Sequence, residues 1–93
     1  MKAVLITYSA KGLDKTEASK LSKILIGYTD RSNKSKYIYQ RKGLLKPENS
    51  IIISKSTFIV KKQLLKEIIS FILTKKAKVN FWNIEISEKY FKN

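Results

Sequence analysis

At 93 residues, 43% of them hydrophobic and 11% aromatic, the chain has the size of one domain (1–93, with 88–93 a short C-terminal tail) and enough apolar surface to rule out disorder throughout. It has no cysteine and no histidine, so a disulfide framework and a thiolate site are excluded, and the commonest metal ligand and general base is missing. Twenty basic residues against seven acidic ones give a net charge of +13, which favours a polyanionic partner.

Nucleic acid is the commonest such polyanion. A lysine-rich surface also arises from codon bias or heat adaptation, so the charge alone does not decide the matter. Eighteen of the basic residues are lysine; the only arginines are Arg31 and Arg41. No segment approaches the roughly 18 apolar residues that would span a membrane, and the apolar run after Met1 is shorter than a signal-peptide core. No helix pairs a broad lysine face with an opposing Trp/Phe face. The expectation is a soluble cytoplasmic protein with no membrane partner.

In chain order, Ala3–Tyr8 (AVLITY) reads as a strand apolar on both faces, hence central in its sheet. Asp14 stands three residues before Glu17 in a variant of the capping box. Ala18, Leu21, Ile24, Leu25 and Tyr28 then follow at helical spacing, and Gly27 is placed to end the helix in a left-handed conformation. Residues 29–35 read as a polar loop with nothing to bury.

A second strand is expected from Lys36 to Gln40 or on to Leu45, followed by a turn at Pro47–Ser50. Residues 51–60 (IIISKSTFIV) form β-structure, in one piece or in two broken near Lys55. Leu64, Leu65, Ile68, Ile69, Ile72 and Leu73 make the apolar stripe of a second helix that ends at Lys75 and Lys76. Val79–Ser87 reads as the last strand, and the tail after it as frayed or loosely docked.

The order β-α-β-β-α-β is the ferredoxin-like pattern, an α+β fold. Right-handed crossovers place both helices on one face of a four-stranded antiparallel sheet, in spatial order 4-1-3-2. The other face is left bare, with Trp82 and Tyr39 as candidates for it. The plainer expectation for Trp82 is the core.

The stretch Tyr28–Leu45 carries the functional reading. Tyr37, Tyr39 and Arg41 share one strand parity and would stand in a row on the sheet, where flat polarisable groups stack on bases or sugars. Lys34, Lys36, Lys42 and Arg31 supply charge for phosphates, joined by Lys11 from the loop after the first strand. As ordinary β-formers, the two tyrosines could equally be half-buried sheet residues.

The acidic residues are scattered and explained by capping, turns and solvated faces; only Asp30, among Arg31, Lys34 and Lys36, has a setting suited to a site. No catalytic residue, metal or cofactor is therefore assigned, and a metal-dependent endonuclease built on Asp30 ranks last. Three families of this topology do not match. The strand SIIISKSTFIV lacks the glycines of the RNA-recognition motif. The loop SAKGL lacks the arginine of acylphosphatases, and Ser9 stands where the small CRISPR-associated nucleases carry an Asp.

The function expected is nucleic-acid binding, RNA ahead of DNA because unpaired bases suit aromatic sheet faces. The alternative is a protein–protein module: a homodimer through the bare face, or a basic subunit of a ribonucleoprotein or replication complex.

Overall fold

The computed structural model describes residues 1–32 and 37–91; the side chains of residues 29–32, 37–39 and 41 are not among those described. The fold is α+β. The elements are β1 (Lys2–Ser9), α1 (Lys15–Ile26), β2 (Gly27–Ser32), β3 (Tyr37–Lys42), β4 (Ser50–Ser54), β5 (Thr57–Lys61), α2 (Leu65–Thr74, after a 3-10 turn at Lys62–Leu64) and β6 (Lys78–Glu85). Four strands form an antiparallel sheet in the order β4-β5-β1-β6, and β2 and β3 form a separate two-stranded ribbon.

The helices begin and end for local reasons. Asp14 is the N-cap of α1, its carboxylate accepting the Glu17 N–H at 2.8 Å. Gly27 ends the helix with φ 91° and ψ 177°. That conformation suits glycine, as expected, but its extended ψ sends the chain into a strand instead of closing a left-handed cap. Tyr28 therefore belongs to β2, not to the helix stripe.

Val4, Ile6 and Tyr8 of β1 and Phe58 and Val60 of β5 point into one core with Leu21 and Leu25 of α1 and Ile68 and Ile72 of α2. Alternate strand residues and helix residues four apart thus meet on one sheet face, which both helices cover. Ile69 and Leu65 are only partly buried, and Leu73 is exposed, so the α2 stripe is narrower than its sequence suggests.

The segment 51–60 is in two pieces, with a turn at Lys55–Ser56 and a bulge at Ile53. The turn before it is pinned at Pro47: the Asn49 side chain accepts the Lys46 N–H at 3.0 Å, and the Ser50 hydroxyl donates to the Lys46 carbonyl at 2.8 Å.

Two expectations are corrected here. First, residues 29–32 are strand, not loop, and residues 37–42 pair with them instead of joining the four-stranded sheet. The chain order is consequently β-α-β-β-β-β-α-β. Second, Trp82 is not core. It is 53% exposed on β6, an edge strand most of whose residues face solvent.

Residues opposite one another in an antiparallel ladder share a face. The register accordingly runs Ile51, Ile59, Leu5 and Trp82 across the uncovered face. The tail, expected to be frayed or loosely docked, lies against part of it. Met1 and Ile86 exchange hydrogen bonds at 2.7 and 3.0 Å, and a 3-10 turn at Glu88–Tyr90 leads to Phe91, which is 4% exposed. The Lys61 ammonium lies 5.4 Å from the Phe91 ring, and Ala3, paired with Lys61, is buried outside the main core.

Candidate nucleic-acid interface

The ribbon is built by a chain that leaves α1 at one glycine and returns at another. A Cβ placed on Gly43 would fall within 2.6 Å of backbone atoms of Leu25, Ile26 and Gly27, so only glycine permits the outgoing and returning chains to lie this close. The return is fixed by backbone bonds from Leu44 N–H to the Ile24 carbonyl and from Leu45 N–H to the Leu25 carbonyl, both 2.9 Å. These bonds take up carbonyls that the end of α1 would otherwise leave unpaired.

Within the ribbon, Tyr28 pairs with Arg41, Thr29 with Gln40, Asp30 with Tyr39, Arg31 with Ile38 and Ser32 with Tyr37. The structure thus brings the backbone positions of Arg31, Tyr37, Tyr39 and Arg41 onto one two-stranded element. They do not stand on the bare face of the four-stranded sheet, because their strand is not part of it. Lys34 and Lys36 lie outside the described residues.

Lys42 is exposed at the root of the ribbon. There a hollow of about 410 Å³ opens between the ribbon and the Pro47 turn, with Tyr28, Lys42, Lys46 and Glu48 among its lining residues. Tyr28 is 40% exposed, and the Lys23 ammonium sits 5.1 Å from its ring centroid. The sequence reading assigned Tyr28 to the helix and passed over Lys46. The paired glycines at 27 and 43 were the signal that both belong to the foot of a hairpin.

Lys11 is elsewhere. It follows β1, whereas the ribbon leaves the far end of α1, and the 12 residues of that helix span about 18 Å. Lys11 is thus set apart from the root of the ribbon. Among the described residues no group of three or more His, Cys, Asp or Glu side chains could hold a metal ion, and no helix is long and apolar enough to cross a membrane.

Tyr8 is the one described side chain with a clear pKa shift. Burial pushes its phenol up, partly offset by a hydrogen bond with Ser22. It faces the core and is no part of the ribbon.

No protein-family model matches the chain, and neither a curated protein nor a solved structure matches it.

Proposed function

We propose that this is a small nucleic-acid-binding protein that grips its ligand with the β2–β3 ribbon and does no chemistry on it. One observation carries the reading. Both arginines and three of the five tyrosines (Tyr28, Tyr37 and Tyr39) fall within Gly27–Lys42, an element that pairs with no other strand among the described residues. A ribbon that served only to complete the core would be rich in aliphatic residues; this one has Ile38 alone. Arginine forks meet phosphates and bases, and tyrosine rings stack on unpaired bases. Lys42 and Lys46 add charge where the ribbon joins the body.

RNA remains the favoured ligand, through unpaired bases on the tyrosines. A two-stranded ribbon also suits the width of the B-DNA major groove, so duplex DNA is the comparison that matters. The frame that carries the ribbon is, in this reading, ferredoxin-like. With β2 and β3 taken as an insertion, the remaining elements run β-α-β-β-α-β and the sheet order reads 4-1-3-2.

The test is anisotropy titration of labelled single-stranded RNA, duplex RNA and duplex DNA with the wild type and with Arg31→Ala/Arg41→Ala. The reading requires that the double variant lose most of the affinity for the preferred ligand.

A second reading is favoured by the apolar side chains at the uncovered sheet face. Trp82 is more than half exposed, and a second copy could dock there as a homodimer, or a protein partner in a larger complex. Sedimentation mass separates this from a monomeric binder.

A further inference from the structure

A second cationic surface lies at the end of the sheet remote from the ribbon. Ser9 closes β1 and pairs with Lys78, the first residue of β6. Lys11 follows in the loop to α1, its N–H reaching the Ser9 hydroxyl at 3.4 Å, and Lys76 follows the end of α2. Ser9, Lys11, Gly12, Lys76 and Lys78 line one hollow of about 350 Å³, with no acidic side chain among them. The comparable hollow at the opposite end, lined by Lys2 and Lys62, includes Glu85.

Lys76 has a further peculiarity. Its φ of 61° makes it the one non-glycine residue with positive φ among those described. It stands just past the C-cap of α2, its N–H donates to the Leu73 carbonyl at 3.0 Å, and the next residue, Ala77, is buried with Ile72 in the core. This is the position at which helices most often carry glycine. A lysine there is held in a conformation that L side chains rarely adopt, and it lines the same hollow as Lys11 and Lys78. A solvated lysine face needs neither a concave wall nor an unfavourable backbone.

We infer that this hollow is a phosphate-binding site, separate from the ribbon, in which Lys11, Lys76 and Lys78 neutralise a phosphate group and the Ser9 hydroxyl donates to it. Two sources offer such a phosphate, free pyrophosphate and the end of a nucleic-acid strand; only the second rests on the ribbon reading.

The experiment is an amide-shift titration of the full chain with inorganic pyrophosphate near 0.15 M salt, where weak non-specific pairing is largely screened. The inference predicts saturable shifts at Ser9, Lys11, Gly12, Lys76 and Lys78, and none at Lys2, Lys62 or Lys42. Lys76→Gly keeps the backbone conformation and removes the ammonium. It should weaken pyrophosphate binding about fivefold or more, the loss expected for one charge-assisted contact, while the Tm stays equal or rises. An unchanged Kd in Lys76→Gly, or shifts spread evenly over exposed lysines, overturns the site.

The ribbon variant Arg31→Ala/Arg41→Ala should bind pyrophosphate as the wild type does, which keeps failure of this site distinct from failure of the ribbon. Wild-type binding of one oligonucleotide with a 5′-phosphate and with a 5′-hydroxyl then identifies the source. Tighter binding of the phosphorylated form, lost in Lys76→Gly, assigns the hollow to strand ends; equal binding assigns it to free phosphate.

Discussion

Gly43→Ala is the sharpest test of how the ribbon is attached. The new methyl would lie within 2.6 Å of backbone atoms of Leu25, Ile26 and Gly27, and backbone, unlike a flexible side chain, cannot swing aside. Forced overpacking of this kind costs about 1–3 kcal/mol. The strands can part only by stretching the Leu44–Ile24 and Leu45–Leu25 bonds, each contributing about 1 kcal/mol. The combined loss is about 3–5 kcal/mol. In a domain of this length about 1 kcal/mol moves the Tm by about 4–8 °C, so the fall should exceed about 10 °C by circular dichroism. Gly12→Ala is the control. Nothing lies within 4 Å of its Cβ position, so the change should leave stability equal or raise it by about 0.4–1 kcal/mol through the unfolded chain. If Gly43→Ala melted within a few degrees of the wild type, the crossing of chains at 27 and 43 would be wrong, and with it the separation of ribbon from sheet.

Other expectations concern the body of the protein. Phe91→Ala should cost about 2–4 kcal/mol in urea unfolding, since Phe91 is buried against the sheet, whereas exposed Tyr90→Ala should stay within about 0.5 kcal/mol; equal effects would mean that the tail is not docked. The raised pKa of Tyr8 makes a pH prediction. Its folded pKa lies above the unfolded value near 10, so its neutral-state stability is complete below about pH 10 and is lost as the pH rises through the folded pKa. The stability advantage of the wild type over Tyr8→Phe should therefore shrink above pH 10, and a constant difference would count against burial of the phenol. Tyr37→Ala and Tyr39→Ala should each weaken single-strand binding by about 1–3 kcal/mol in anisotropy titrations, and unchanged affinity would remove the stacking role.

Much of the frame could be read from residue patterns because burial there is one-sided and periodic. The β1 run, the Asp14 cap, and the Ile68 and Ile72 positions of α2 all follow from that periodicity. The ribbon could not be read in the same way. Thr29–Ser32 has no apolar residue, so nothing in its own pattern distinguishes a strand from a loop; it is a strand only because residues 37–42 pair with it. Tyr37, Ile38 and Tyr39 are good β-formers in a sheet or a ribbon alike, and their pattern is silent about the partner. Trp82 misled for a related reason. Large aromatics are usually buried, but burial depends on what covers the sheet face, and here Phe91 lies beside Lys61 while Trp82 is left open. For the candidate site, composition pointed to residues 28–42 but could not reveal that Lys11 sits about a helix length away.

In the proposed reading the ribbon, and not diffuse charge, binds nucleic acid. The most direct measurement is the salt dependence of affinity for the preferred ligand, wild type against Arg31→Ala/Arg41→Ala. Ribbon binding predicts measurable wild-type affinity near 0.15 M salt, with a log–log slope implying several phosphates. The double variant should bind more weakly, and its slope should be shallower by about one to two charges. Parallel lines with the same slope and affinity, or binding of all nucleic acids alike and only at low salt, would contradict the claim and leave the +13 charge a matter of composition.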